Sequence, residues 1–221
     1  MIEKVDSPPL GPNVYPSALA EDFATRYAEG RDSWTGEPAM QHAVQDLIGV
    51  LADRPGQHVL DVGTGHGRDA LVLLRAGHRV TGIDLLRSPQ WDEVSAAGED
   101  RARFLTTDLL NLPEDTVYDA VLDNGCMHHQ HPDLYGAYIE RLWRVLRPGG
   151  TLLVSVFGAR EAQGATYLSN DRRLCREFTE AELGDVFGQH GFTLSSCRSV
   201  PRDLPGRHYL LATFSRDEAL A

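Results

Sequence analysis

The residues best suited to chemistry begin at Asp61, a carboxylate two positions before three alternating glycines, Gly63, Gly65 and Gly67. An apolar stretch at 58–62 leads into them, and a helical pattern follows. Glycine adopts backbone angles that are closed to other residues, and it lets a ligand approach bare main chain. A strand that ends in such a turn and continues into a helix presents backbone N–H groups and a positive helix end. The pattern therefore predicts a site for a polar, nucleotide-like ligand.

The spacing of the glycines distinguishes two classes of ligand. A dinucleotide-binding fingerprint reads Gly-x-Gly-x-x-Gly, which would place its third glycine at position 68. This chain has Arg68 there and keeps the alternate spacing to Gly67 instead. The loop thus departs from the pattern that is typical of NAD-binding proteins.

The elements that must position this loop alternate between short apolar strands and amphipathic helices, which predicts a parallel sheet flanked by helices. Strands are expected at 58–62, 79–84, 103–106, 118–123, 151–157, 192–199 and 207–214. Helices are expected at 67–76, 89–97, 133–146 and 179–190. The last helix begins with a capping pair, Thr179 and Glu182. The turn between the last two strands is too short for a parallel crossover, so an antiparallel hairpin is expected.

The chain divides into an N-terminal extension and a larger α/β domain. Residues 1–52 are expected to form a helical extension or lid, of which residues 1–16 are poorly ordered. Residues 53–221 are expected to form the main domain. Within it, residues 158–178 are largely polar and show no clear pattern. A loop of that length inside a compact domain is usually functional or mobile, so it is expected to face the substrate.

The glycine loop and its preceding aspartate resemble the cofactor loop of class I S-adenosylmethionine-dependent methyltransferases. The closing hairpin agrees with that family's Rossmann-like fold, a doubly wound, seven-stranded, mostly parallel sheet with an antiparallel C-terminal hairpin. The segment 123–129, Asp-Asn-Gly-Cys-Met-His-His, resembles one found in small-molecule methyltransferases. It is most similar to thiopurine, thiol and tellurite methyltransferases, although Asn124 stands where those have arginine. The segment 27–38 is similar to the entry segment of the same enzymes.

The resemblance implies S-adenosylmethionine as the cofactor and suggests roles for single residues. Asp84 would accept two hydrogen bonds from the ribose diol, the alternative being a helix N-cap. Asp108 would accept from the adenine amino group while Leu109 packs on the base, unless Asp108 is only a turn residue. Asp61 would fix the turn and face the amino-acid end of the cofactor, or else cap the following helix. The implied cofactor contacts are Trp34, Asp61, Gly63, Thr64, Gly65, Gly67, Asp84, Leu85, Asp108, Leu109, Asp123 and Asn124.

Three histidines follow the fourth predicted strand, at positions 128, 129 and 131. Because imidazole titrates in the useful range, His128 or His129 is predicted as a general base, with Asp123 a further candidate. The alternative is a histidine that only anchors the loop. No metal is expected, because ligands within four residues lack the spread that a closed zinc site needs.

Two further groups of side chains have both a functional and a structural interpretation. Trp34 and Tyr27 could cover the cofactor, whose sulfonium cation favours aromatic faces, or could only pack the N-terminal helix. Arg172, Arg173 and Arg176 could clamp a substrate carboxylate, or could simply be solvated charges of the long loop.

The composition limits the kinds of partner that this chain is expected to bind. The formal charge is −11, from 21 basic against 32 acidic residues, which argues against nucleic acid. The expected partner is a small-molecule methyl acceptor, and the expected assembly is a monomer or a homodimer. Three scattered cysteines, no apolar signal region and no membrane-spanning run predict a cytoplasmic protein without a membrane partner.

The predicted reaction is in-line displacement, in which a nucleophile attacks the methyl carbon and S-adenosylhomocysteine leaves. Because the donor is already activated, alignment and desolvation are the main tasks of the protein. The acceptor atom, nitrogen, oxygen or sulfur, is left open. Two alternatives remain: a protein that binds S-adenosylmethionine for another purpose such as a cyclisation, and an NAD-dependent oxidoreductase.

Overall fold

The structure, a computed structural model, describes residues 3–113, 116–169 and 173–218. The helices are α1 Tyr15–Ala28, α2 Gln41–Val50, α3 Arg68–Arg75, α4 Gln90–Gly98, α5 Tyr135–Val145 and α6 Glu180–Gly188. The strands are β1 Glu3–Lys4, β2 His58–Val62, β3 Arg79–Asp84, β4 Ala102–Thr106, β5 Tyr118–Asn124, β6 Leu146–Gly158, β7 Thr166–Leu168, β8 Leu174–Phe178, β9 Phe192–Pro201 and β10 His208–Arg216. Arg172, one of the suggested substrate clamps, lies outside the described residues.

The main sheet has the strand order β4-β3-β2-β5-β6-β10-β9. The first five strands of that order are parallel, whereas β10 is antiparallel to both of its neighbours, β6 and β9. This arrangement confirms the predicted doubly wound, seven-stranded sheet with its C-terminal hairpin. It also removes the support for a dinucleotide-binding sheet, which lacks that hairpin.

Helices cover both faces of the sheet because successive strand residues point to opposite sides. On β2, Val59 packs with the apolar cluster that includes α2 and α3, whereas Leu60 packs with the cluster that includes α5 and α6. Both side chains are fully buried. The apolar runs of the parallel strands thus become two cores, one on each face.

The register brings the carboxyl ends of the parallel strands to one edge. Val62 lies opposite Ile83 on one side and Asp123 on the other, and Asp84 lies opposite Thr106. The residues that follow these strands therefore meet at the same edge, which is where open α/β sheets place their ligands.

Two segments differ from the expectation. Residues 158–178 were expected as one loop, but β7 and β8 form an antiparallel pair, and β8 extends the sheet beside the end of β6. Residues 1–16 were expected to be poorly ordered, yet β1 pairs with β7 and Tyr15 is buried at the start of α1. These strands are short and pair through their main chains, so their sequences contain no period-two pattern from which they could be predicted.

Candidate active site

One cavity opens at the carboxyl edge of the sheet, beneath α1. It is lined by nine of the residues predicted as site residues, namely Trp34, Gly63, Asp84, Leu85, Asp108, Leu109, Asn124, His128 and His129. Five others do not contribute to its wall, namely Asp61, Thr64, Gly65, Gly67 and Asp123. The structure therefore brings most of the predicted set together in one cavity wall and leaves the remainder outside that wall.

The glycine loop joins β2 to α3 in a conformation that favours glycine. The φ angles of Gly63, Gly65 and Gly67 are 68°, 55° and 82°, all in the left-handed region that strains other residues. The amides of Gly63 and Thr64 donate to the carbonyl oxygen of Ile83 at 2.8 and 2.9 Å. These bonds hold the loop against the end of β3.

The loop is packed tightly from two sides. A Cβ atom on Gly63 would overlap Sγ of Cys126. From α4, the indole Nε1 of Trp91 donates to the Gly65 carbonyl oxygen at 2.8 Å. Sequence reasoning did not single out Trp91, because nothing in the local pattern of α4 distinguishes a support of the loop from an ordinary core residue.

Asp84 is placed to bind polar groups in the cavity. Its Oδ2 accepts from the Gly65 amide at 2.9 Å and its Oδ1 from the Leu86 amide at 3.0 Å. Burial raises the pKa of this carboxyl, while the two amide bonds oppose that rise. A carboxylate has about four lone-pair sites, so each oxygen can accept a further hydrogen bond.

Asp61 lies behind the loop. It is 2% exposed, and its Oδ2 accepts from the Thr64 hydroxyl at 2.6 Å. Burial raises its pKa, and the nearby Asp69 carboxylate raises it further. In this position Asp61 fixes the turn, which is one half of its predicted role.

Asp108 and Leu109 follow β4 and line the cavity. The Asp108 carboxylate accepts hydrogen bonds from the amide and the side chain of Asn111, at 2.7 to 3.0 Å. Leu109 is 3% exposed and packs into the core cluster. The pair thus combines a hydrogen-bond acceptor with an apolar surface, as an adenine pocket requires.

The end of β5 contains one structural residue and one cavity residue. Asp123 is fully buried, and it accepts from the Cys126 amide at 2.8 Å and from the Tyr138 hydroxyl at 2.9 Å. Burial raises its pKa to about 6. Its oxygens therefore hold the β5 loop, and this geometry does not favour the predicted base. Asn124 lines the cavity instead, and its buried Oδ1 has no partner among the described residues.

His128 and His129 form a buried pair in the cavity wall. Their Nε2 atoms are 3.2 Å apart, and Nδ1 of His129 donates to the Leu174 carbonyl oxygen at 2.7 Å. In the neutral pair, Nε2–H of His128 therefore donates to Nε2 of His129. Burial lowers the pKa of both rings well below the ordinary value. Both are neutral at pH 7 and are weak bases, so the predicted base role stays a prediction that the geometry does not strengthen.

Both ring nitrogens of His131 form hydrogen bonds with main-chain groups. Its Nδ1 accepts from the Asp133 amide at 3.2 Å, and its Nε2 donates to the Leu10 carbonyl oxygen at 3.0 Å. Within 3–113, 116–169 and 173–218, no three His, Cys, Asp or Glu side chains are grouped so that they could hold a metal ion.

An aromatic cluster from the N-terminal segment covers the cavity. Phe23 and Tyr27 of α1 contact Trp34 edge to face, with ring centroids 5.4 and 5.6 Å apart. All three rings line the cavity wall. This arrangement fits the predicted lid interpretation of Trp34 and Tyr27.

Two arginines bring positive charge to the same cavity. Arg202, near the β9–β10 turn, donates to both oxygens of Glu37 at 2.9 and 3.2 Å and lies over the rings of Phe157 and Tyr209. Arg173, which precedes β8, also lines the wall. Sequence reasoning missed Arg202, Glu37, Phe157 and Tyr209, because they come from segments far apart in the chain and share no motif.

The chain is similar to known methyltransferases in sequence and in structure. A family model described as a methyltransferase domain matches residues 37–196. The crystal structure of 1,6-didemethyltoxoflavin-N1-methyltransferase from Burkholderia thailandensis, with 1,6-didemethyltoxoflavin and S-adenosylhomocysteine bound, superposes with a TM-score of 0.93. Its sequence is 40% identical, and the match covers 98% of this chain and 95% of that one.

Curated relatives are more distant. A sterol 24-C-methyltransferase from Gibberella zeae is 29% identical over 92% of this chain and 54% of the relative. The 27-O-demethylrifamycin SV methyltransferase of Amycolatopsis mediterranei is 33% identical over 57% of this chain and 48% of the relative. The chain thus spans about half the length of the curated relatives it matches.

Within the part of the chain that the structure describes, no helix is both long enough and apolar enough to cross a membrane. The expected cytoplasmic location, the boundary between residues 52 and 53, and the monomer or homodimer stay predictions.

Proposed function

Because the chain belongs to the methyltransferase-domain family, we propose that it transfers the methyl group of S-adenosylmethionine to a nitrogen atom of a small, flat acceptor. One observation carries this proposal. A single cavity is lined by the glycine loop and strand-end carboxylates and also by aromatic and basic side chains. A cofactor and an acceptor can therefore meet in one enclosed space.

The residues at the sheet edge fit the cofactor. Asp84 has lone pairs left for a ribose diol, and Asp108 with Leu109 suits an adenine ring. The unpartnered Oδ1 of Asn124 would accept from the cofactor's ammonium group, which removes the cost of a buried unsatisfied oxygen. Gly63 also lines the cavity, so its main chain is available to a ligand there. When bound, the cofactor supplies a methyl group already activated on sulfur.

Other residues of the cavity fit a flat acceptor. The His128 and Phe157 rings stack with centroids 3.7 Å apart at 22°, and Tyr209 continues that stack at 5.6 Å from Phe157. Aromatic rings favour offset stacking with other flat rings. The choice of nitrogen rests on the Burkholderia thailandensis enzyme, whose name specifies methylation at N1 and whose sequence matches along nearly the whole chain.

The protein's own contribution is alignment and exclusion of water. The rings of Phe23, Tyr27 and Trp34 line the cavity, so they would shield the reacting atoms from solvent. Holding two reactants in line removes much of the entropic barrier of a bimolecular step. A strong base is not required when the acceptor nitrogen already has a free lone pair.

Incubation with S-adenosylmethionine labelled in its methyl group tests the reaction directly. A panel of flat nitrogen heterocycles, phenols and thiols should be offered, and the products identified by mass spectrometry. We expect label in a heterocycle nitrogen and release of S-adenosylhomocysteine. Binding of the cofactor without label in any small molecule would instead favour a role that does not transfer methyl groups.

The substitution Asp84→Ala tests the cofactor assignment. It removes charge-assisted acceptors, and we expect the S-adenosylmethionine dissociation constant measured by calorimetry to rise at least about tenfold. Asp92→Ala, which removes an exposed carboxylate paired with Arg87, is the matched control and should leave binding unchanged. Unchanged binding by Asp84→Ala would exclude the ribose assignment.

A further inference from the structure

Arg173 has more positive charge than its neighbours neutralise. Its side chain is 12% exposed, and its Nη1 is 3.7 Å from the Asp22 carboxylate. That carboxylate already accepts a hydrogen bond from Nε of Arg26 at 3.0 Å. Two guanidinium groups therefore lie beside the same carboxylate. Nε and Nη1 of Arg173 are buried and have no hydrogen-bond partner among the described residues, an arrangement that is costly unless a ligand supplies acceptors.

The guanidinium group is held in the cavity by aromatic faces. It lies over the rings of Phe23 and Trp34, at 5.2 and 5.6 Å from their centroids. Arg202, the other arginine of the cavity wall, is neutralised by the bidentate Glu37. Among the described residues that line the cavity, Arg173 is thus the cation whose buried N–H groups lack hydrogen-bond acceptors.

Apart from Asp84 and Asp108, which we assign to the cofactor, the described residues that line the cavity include no strong base. Glu37 is occupied by Arg202 and by the Tyr209 hydroxyl, which donates at 2.9 Å. His128 and His129 bond to each other, and burial together with the Arg173 charge lowers the pKa of both rings. A nitrogen that had to lose a proton during methyl transfer would find only weak bases among these side chains.

Resting on the proposed function, we propose that the acceptor binds as an anion, the conjugate base of an acidic N–H on a flat heteroaromatic ring, and that Arg173 holds this anion. The proton leaves to solvent before binding. The nitrogen lone pair then forms the N–C bond with the methyl carbon, the C–S bond breaks, and its electron pair stays on sulfur. The product and S-adenosylhomocysteine leave without a proton transfer in the methyl-transfer step.

Paired flat probes of different charge test this inference. Uric acid, an anion at neutral pH, is compared with hypoxanthine, a neutral purine, and 5-nitrouracil with uracil. Binding is measured by calorimetry on protein saturated with S-adenosylhomocysteine, after cofactor binding itself has been verified. We expect at least one anionic probe to bind at least about tenfold more tightly than its neutral partner.

Three variants identify the source of the preference. Arg173→Gln should abolish it, and Arg173→Lys should keep part of it because the charge remains. Arg198→Gln removes a charge from a surface ion pair with Asp46 and should leave the preference unchanged. Equal or tighter binding of the neutral probes, no binding of either anion, or an unchanged preference in Arg173→Gln would each overturn the inference. Failure of the cofactor to bind would instead count against the proposed function.

Discussion

Gly63 shows how one position can meet two physical demands at once. Its φ of 68° lies in the left-handed region, and the space where a Cβ would stand is filled by Sγ of Cys126. The first demand is local to the backbone and is typical of glycine in tight turns. The second depends on a residue more than sixty positions away, and only the folded chain reveals it.

We predict that Gly63→Ala destabilises the protein by at least about 2 kcal/mol, from the left-handed backbone and the overlap together. The double variant Gly63→Ala with Cys126→Ala should recover the part that is due to overlap and retain the backbone part. Urea unfolding measures both. Gly49→Ala, in open space within α2, is the control and should stabilise by up to about 1 kcal/mol. A Gly63→Ala variant as stable as wild type would show that neither the left-handed backbone nor the overlap with Cys126 constrains this position.

At the scale of elements, the Tyr15 hydroxyl links the start of α1 to the histidine turn and to β8. Tyr15 is 2% exposed, and its hydroxyl donates to the His129 carbonyl oxygen at 2.8 Å and accepts from the Leu174 amide at 3.0 Å. One side chain thus connects α1, the histidine turn and β8. This connection holds α1 where Phe23 and Tyr27 line the cavity.

We predict that Tyr15→Phe lowers the free energy of unfolding by about 1–3 kcal/mol, because a buried amide and a buried carbonyl each lose a partner. Amide hydrogen exchange at Leu174 and along α1 should become faster than elsewhere in the sheet. Tyr135→Phe is the matched control, since the buried Tyr135 hydroxyl has no partner among the described residues. Its removal should leave stability and exchange nearly unchanged, and equal losses in the two variants would contradict the proposed attachment.

For the whole molecule, the buried ionisable groups make opposite contributions to the pH dependence of stability. Burial lowers the pKa of His129, so the unfolded chain takes up a proton below about pH 6.5 while the folded chain does not. That contribution weakens the fold as the pH falls. Burial raises the pKa of Asp123 to about 6, so the folded chain takes up its proton first, and that contribution strengthens the fold as the pH falls.

We predict that two variants differ from wild type in opposite directions when unfolding is measured between pH 8 and about pH 5. His129→Asn removes the histidine contribution, so the stability advantage of wild type over this variant should shrink below about pH 6.5, by up to about 1.4 kcal/mol per pH unit. For Asp123→Asn the advantage of wild type should grow as the pH falls. Differences that stay constant with pH would show that these groups do not titrate as their burial indicates.

Much of the fold and of the cofactor half of the site follows from the sequence alone. The predicted strand at 58–62 and the antiparallel hairpin were confirmed, because apolar periodicity and loop length act locally. Asp84, Asp108 and Gly63 were predicted for the same reason, since each stands at the end of a strand or within two residues of it, and their roles toward the cofactor stay predictions. The pair β7 and β8 was missed, because strands of three and five residues are too short to show a periodic pattern of their own.

The part of the cavity that we assign to the acceptor was decided by tertiary structure. Glu37 and Arg202 are 165 positions apart, and no local pattern relates them. The protonation of His128 and His129 depends on burial and on the charge of Arg173, which are properties of the assembled cavity. The sequence by itself determined the glycine loop and the carboxylates at the strand ends, where we propose that the methyl donor binds, because these features depend on neighbouring residues. Only folding decided the charge and shape offered to the acceptor, because these arise from side chains that distant segments bring into contact.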